Sequence, residues 1–288
     1  NPDRTIQFIS WLNSEAPLYL ESMANRGNPA PKGKTFSPLD YEQAVSFVAT
    51  GNADEVQRNM YFLPNAEFLV GARKKENLSA VRFLHVDLDY KDYPGTEAEQ
   101  ADFVMSILLN DSDRPKGIPL PSAIWFTGGG CQAVWKLDDP LDVEKAEQLN
   151  KALLFVLQGG PGTHNADRLL RVPWTMNWLN DKKRASGREP ALAWHFEPME
   201  LNKPPRTYSV DDFRVKLPKE VTKPDGDPSA LAEPVAEIQP LPLPDHLHEV
   251  FPSDPEWVEA IMTGQNPPGK TYASRSELVY ASVIWMLF

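Results

Sequence analysis

The sequence predicts an α+β fold, and three observations carry that expectation. Between positions 81 and 175, short apolar runs of strand length alternate with two longer runs of helical spacing. The order is strand, helix, strand, strand, helix, strand, with Gly128-Gly129-Gly130 supplying the tight reversal between the two middle strands. The apolar share of 41%, with 10% aromatic residues, is enough to build a packed core in a chain of 288 residues. A βαββαβ succession is the split βαβ arrangement, ferredoxin-like and shared with RRM-like domains.

Each element has a local reason. Ahead of the core lies an N-terminal α/β extension. Thr5 to Leu12 places Ile6, Ile9, Trp11 and Leu12 at helical spacing. A second helix is predicted from Pro38 to Val48, with Ser37 as its cap, Pro38 at the first helical position and Asp40 in the first turn. Met60–Leu63 and Glu67–Val70 read as short strands around a Pro-Asn turn. In the core, Arg82–Leu88 is the first strand, and Glu97–Leu109 is a helix opening on Thr96. Ala123–Phe126 and Gln132–Leu137 are the middle strands. Val143–Leu157 is a helix with Ala146, Leu149, Leu153, Leu154 and Val156 on one broad face, and Leu169–Val172 is the last strand.

The chain divides into a predicted catalytic domain over 1–205, with its core at about 81–180, an acidic proline-rich linker or wrapping segment over 206–267, and the start of a small C-terminal helical domain over 268–288. The absence of an initial Met and the apolar ending VYASVIWMLF suggest a piece of a longer chain. Cys131 is the single cysteine, so no internal disulfide forms, which fits a reducing, cytoplasmic setting. No apolar run approaches the ~20 residues of a membrane helix, and no signal-peptide pattern is present. The net charge of −11 argues at first against a nucleic-acid enzyme. However, positions 224–260 hold nine acidic residues and no Lys or Arg, so the rest of the chain is close to balanced. It carries two basic clusters, Arg73-Lys74-Lys75 and Lys182-Lys183-Arg184.

A ferredoxin-like sheet in the order 4-1-3-2 would bring distant polar residues to one edge. Asp87 and Asp89 end the first strand, Gln132 begins the third, and Asp167 precedes the fourth. Alternation puts Phe83, His85, Asp87 and Asp89 on one expected open face, and leaves Leu84, Val86 and Leu88 as the bed for the helices. Three carboxylates at ~4 Å repel by roughly 4 kcal/mol per pair at an effective dielectric of ~20, so such a site calls for a cation. Hard oxygen ligands favour Mg²⁺ or Mn²⁺, and with a nucleoside triphosphate they suit nucleotidyl transfer by a two-ion site. The backbone of Gly129 and Gly130 reads either as a plain hairpin turn or as N–H groups offered to a triphosphate, and Gln132 either as a polar strand end or as a hydrogen bond to a phosphate or sugar. Cys131, Trp125 and Trp135 read as packing, and His85 as a structural histidine.

Three motifs in order, FLHVDLD, WFTGGGCQAVWKL and THNADRLLRVPWTMN, resemble the archaeo-eukaryotic primase superfamily, specifically the primase-polymerase domains of phage and plasmid replication proteins. The resemblance covers about residues 55–180. It implies that Asp87, Asp89 and Asp167 bind two Mg²⁺ or Mn²⁺ ions and that Gln132 contacts the incoming triphosphate. It also implies that Arg171 and Asn177 support the site, with Lys74 and Lys75 as phosphate or template contacts. The implied partners are a single-stranded DNA template, a primer, ribo- or deoxynucleoside triphosphates and a helicase domain farther along the chain. The sequence departs from the family in two places: many members carry His at Gln132, and Gly is usual at Trp174. Two rival readings accompany this one: a non-catalytic replication protein that grips single-stranded DNA on an open, aromatic sheet face, and a palm-like nucleotide cyclase with two Asp on the same topology.

Overall fold

The computed structural model describes residues 1–13, 16–25, 30–185, 187–196 and 202–215, all within one compact unit spanning 1–220. The helical pattern predicted from Ser274 and most of the acidic segment lie outside these residues. Helix α1 (Pro2–Asn13) is followed by strands β1 (Leu18–Ala24) and β2 (Lys32–Phe36), helix α2 (Tyr41–Asn52) and strand β3 (Arg58–Leu63). The core follows as β4 (Val81–Asp89), α3 (Glu97–Leu109), β5 (Ala123–Phe126), β6 (Gly130–Leu141), α4 (Val143–Val156) and β7 (Leu170–Arg171). Short elements close the described chain: β8 (Met176–Asn177), α5 (Asp181–Ala185), β9 (Ala191–Leu192), β10 (Trp194–His195) and β11 (Thr207–Tyr208). No helix among the described residues is long and apolar enough to cross a membrane.

The α+β class and the βαββαβ succession are both present. Thr96 caps α3 through a reciprocal pair with Glu99, and the Asp142 carboxylate caps α4 by accepting from the backbone of Glu144 and Lys145. Leu84, Val86 and Leu88 are fully buried, as a helix-facing row requires. Strands β4, β6 and β5 lie side by side, antiparallel, with β10 beyond β5, while β11 runs parallel to the far end of β6. The opening of the segment read as linker or wrapping chain is thus packed on the domain, with Phe213 edge-on to Trp135.

The last core strand does not pair where the ferredoxin-like order put it. β7 joins a second sheet, β2-β1-β3-β7, pairing Tyr61 with Arg171 and Phe62 with Leu170. Its other side reaches the first sheet through side chains. Gln132 Oε1 accepts from Arg171 N at 2.9 Å, and Trp125 Nε1 donates to Arg171 O at 2.8 Å. The outer edge of β4 is closed instead by two asparagines. Asn65 Oδ1 accepts from the backbone N–H of Arg82 and Phe83, each at 2.9 Å, and Asn150 Oδ1 accepts from His85 N at 3.0 Å. These bonds satisfy edge donors that a neighbouring strand would otherwise take.

The face expected to be open is covered. Phe83 and His85 are 2% and 1% exposed, and His85 Nε2 bonds to Thr163 O at 2.9 Å. Trp125 is fully buried against Phe8 and Phe62, so this aromatic face is the seam between the two layers. The end of the seam, at Asp87 and Asp89, opens to solvent. In the N-terminal part, the strand expected over Glu67–Val70 is replaced by a 3₁₀ turn, Ala66–Phe68, and an isolated bridge, Leu69 to Leu78.

Candidate active site

A cavity of about 430 Å³ opens at the ends of β4 and β6. The strand period puts Asp87 and Asp89 on one side of β4, and both line it. Asp87 stands opposite Gln132 and Asp89 opposite Gly130 in the ladder. The glycine turn closes tightly over them. A Cβ at Gly130 would lie 2.2 Å from the backbone oxygen of Leu88, so only glycine lets the hairpin approach β4 here. Gly128 has φ +98° and is braced by Asn177, whose Nδ2 donates to Thr127 O at 2.7 Å. Gly129 lines the cavity under Arg188, whose Nη2 donates to Gly128 O at 3.1 Å.

Gln132 is 4% exposed and spends its oxygen on the protein, accepting from Arg171 N and from Trp125 Nε1 at 3.1 Å. Its amide group faces Asp87 and favours the ionised carboxylate. Through its oxygen Gln132 ties β6 to β7, and it also lines the cavity, where the group it has to offer a phosphate is its amide N–H₂. Burial pushes the Asp87 carboxyl up from its ordinary range. The Arg168 charge and the Gln132 amide oppose that shift, and the neighbouring Asp89 charge adds to it. Arg168 Nη2 lies 3.4 Å from Asp87 Oδ2. Asp89 is half exposed and pairs with Lys91 Nζ at 2.7 Å.

The cavity is rich in cations. Arg168, Arg171, Lys183, Arg188 and Lys91 line it together with the two aspartates and Glu97. Arg171 is locked: its guanidinium donates to Asn59 Oδ1 at 2.9 Å and to Tyr61 OH at 3.0 Å, and lies over the Tyr61 ring. Arg168 is lightly held, since its Nε is buried with no partner among the described residues. Burial lowers the Lys183 ammonium, and the nearby Arg188 and Arg171 charges lower it further, as expected where like charges converge on one space.

Asp167 does not join Asp87 and Asp89. It lines a neighbouring cavity of about 360 Å³, where its carboxylate lies 3.5 Å from Arg73 Nη1 and Arg73 also bonds Glu21 at 3.0 Å. The residue aimed at Asp87 is the next one, Arg168. Lys74 pairs with Glu76 on the surface, and Lys75 bonds Glu147 at 2.5 Å, so neither lines the cavity. Gly130 shapes the turn without lining the cavity, whereas Gly129, Gln132, Arg171 and Asn177 do line it. Arg168, Lys91 and Arg188 carry no signal in the sequence; Arg171 and the Lys182-Lys183-Arg184 run are its pointers to this basic wall.

Among the described residues no three His, Cys, Asp or Glu side chains converge as a metal group. The pair Asp87 and Asp89 still fits a hard divalent cation, because Mg²⁺ is commonly held by one or two carboxylates with water and phosphate oxygens completing its shell. A buried carboxylate whose proton affinity is raised, beside a second carboxylate, is an electrostatic arrangement that a divalent cation relieves.

No family model and no curated protein matches the chain. Among solved structures it is similar to the AEP domain of the cyanophage S-2L primase-polymerase, at 17% identity over 71% of this chain and 94% of that one, with a TM-score of 0.46. It is also similar to primase RepB′, at 12% identity over 71% of this chain and 58% of that one, with a TM-score of 0.48. The catalytic domain of RepB′ in complex with initiator DNA gives 13% identity over 71% and 87%, with a TM-score of 0.46.

Proposed function

We propose that this chain is a nucleotidyltransferase that primes and extends DNA on a single-stranded template, in the replication of a phage, plasmid or other mobile element. The observation that carries the reading is one cavity lined both by two strand-end carboxylates and by Arg168, Lys183 and Arg188. Such a site takes a ligand that is itself polyanionic and brings a hard cation, which describes a nucleoside triphosphate. The three motifs resembling primase-polymerases meet at this cavity, through Asp87 and Asp89, Gly129 and Gln132, and Arg171 and Asn177.

In the reaction, a 3′-hydroxyl oxygen attacks the α-phosphorus. A new P–O bond forms, the bond to the β-phosphate oxygen breaks, pyrophosphate leaves and the hydroxyl proton passes to water. A divalent ion held by Asp87 and Asp89, Mg²⁺ or Mn²⁺, would supply charge neutralisation at the phosphates, and the family resemblance implies two such ions. The protein's own contribution is orientation. The Gln132 amide supports ionised Asp87, and Gly130 allows the hairpin to sit directly over the strand end. Arg168, Lys183 and Arg188 face the negative charge that grows on the leaving phosphates. The covered sheet face speaks against the rival reading of an open-faced single-strand binder, because its aromatic residues are core.

The test is nucleotide incorporation on single-stranded DNA, with and without primer, in Mg²⁺ or Mn²⁺. The unaltered chain is compared with Asp87→Ala/Asp89→Ala. Metal-dependent products that vanish in the double variant are expected, and products without primer would establish priming. Equal product from both chains would overturn the reading.

A further inference from the structure

Trp194, on the edge strand β10, is 41% exposed, and Leu192, two residues before it in the separate β8-β9 ribbon, is 47% exposed. Exposed apolar residues on an edge strand invite unwanted pairing, and a two-residue strand gains little packing from keeping them. Their neighbours suggest why they are kept. Trp194 stands opposite Phe126 in the ladder, with ring centroids 6.1 Å apart, and Phe196 lies 4.4 Å from Trp194. On the other side Phe126 stacks on Tyr90 at 6.1 Å with only 26° between the ring planes, and Tyr90 lines the catalytic cavity. Four rings thus run from the buried Tyr90, at the cavity border, to the solvent-exposed edge, with Phe126 and Trp194 on the sheet face opposite Asp87 and Gln132.

The same stretch of chain carries the basic wall. Lys183 and Arg188 line the cavity, Lys182 is exposed beside them on α5, and Arg188 is fixed to the glycine turn next to Phe126. Cations that begin in the cavity, followed by ring faces that leave it, match one kind of polymer: an anionic backbone with flat, unpaired bases. A duplex hides its base faces, and a single nucleotide would not need the row.

We propose that Trp194, flanked by Phe126 and Phe196, is a stacking platform for a single-stranded nucleic acid whose phosphates are met by Lys182, Lys183 and Arg188. The proposal rests on the reading of the cavity as a nucleotidyl-transfer site for the identity of the strand, which is then the template. The binding itself requires no catalysis.

The test is anisotropy titration of a labelled oligo-dT against the full chain, over a series of salt concentrations, with Trp194→Ala, Trp194→Leu, Trp194→Phe and Lys182→Ala. Trp194→Ala and Trp194→Leu should each weaken binding about tenfold, with Trp194→Phe intermediate, and with the salt slope unchanged. Lys182→Ala should instead reduce the slope of log affinity against log salt by about 0.7. An abasic oligomer of the same length should bind all Trp194 variants equally. The leucine variant keeps apolar bulk at the edge, so it carries the test if the alanine variant fails to fold. Oligo-dT affinity equal in the leucine variant and the unaltered chain would overturn the proposal. So would unchanged affinity accompanied by a shift from dimer to monomer, which would make the strip a self-association face. Intact, Trp194-dependent binding without any incorporation would count against the catalytic reading and leave this surface standing.

Discussion

Replacing Gln132 by Leu separates two roles for this residue, a contact to the triphosphate or an internal tie between β6 and β7. Leucine has similar bulk, so the change removes polar bonds without opening a large cavity. Trp125 Nε1 keeps its second acceptor, Arg171 O at 2.8 Å, and stays satisfied. Arg171 N loses its acceptor at a buried position, which costs about 1–3 kcal/mol. Loss of the amide facing Asp87 leaves a buried carboxylate less supported and adds about 1 kcal/mol. The expected loss is about 3 kcal/mol, or about 6–12 °C in Tm for a domain of this size. Urea and thermal melts of Gln132→Leu measure it directly, beside the KM for nucleotide. A melt within about 2 °C of the unaltered chain, with the defect confined to KM, would refute the internal-tie assignment and restore the triphosphate contact.

Two further predictions concern the layers that hold the site. Asn65→Ala should destabilise the fold by about 2–4 kcal/mol in urea, because it orphans the edge N–H groups of Arg82 and Phe83, whereas substitution of exposed Asp54 should do almost nothing. His195 is packed among Phe8, Trp11 and Trp174, its Nε2 has no partner among the described residues, and burial lowers its pKa to about 4. The unfolded chain binds that proton near pH 6.5 and the folded chain does not until about pH 4. Stability is therefore complete above about 6.5 and falls as pH drops toward 4, by up to about 3 kcal/mol. Tm measured against pH should show that fall, and His195→Phe should remove its share, leaving the share of His85, whose pKa burial also lowers to about 4.

The legible part of this molecule is local. The capping box at Thr96, the helical face of α4 and the alternation in FLHVDLD are each written within a few residues, and each element appears where it was read. The N-terminal sheet was mostly illegible. β1 buries Glu21 and Ser22, with Glu21 neutralised by Arg73 from 52 positions away, so its pattern does not alternate as a strand's should. β2 is exposed along most of its length and carries no apolar pattern to read.

By itself the sequence determined that Asp87 and Asp89 share one side of a strand end next to a glycine turn, since a period of two is enforced by backbone geometry alone. It also determined the order of elements around them. The tertiary structure decided which strand β7 pairs with, and hence that the aromatic face is a seam rather than an open sheet. It decided too that Asp167 turns to Arg73 while Arg168 turns to Asp87. Both residues precede β7 outside any regular element, so no periodicity fixes their direction. Their side chains are aimed by charges that arrive from β1, from the turn after β3 and from β4, and the balance among those partners exists only once the chain has folded.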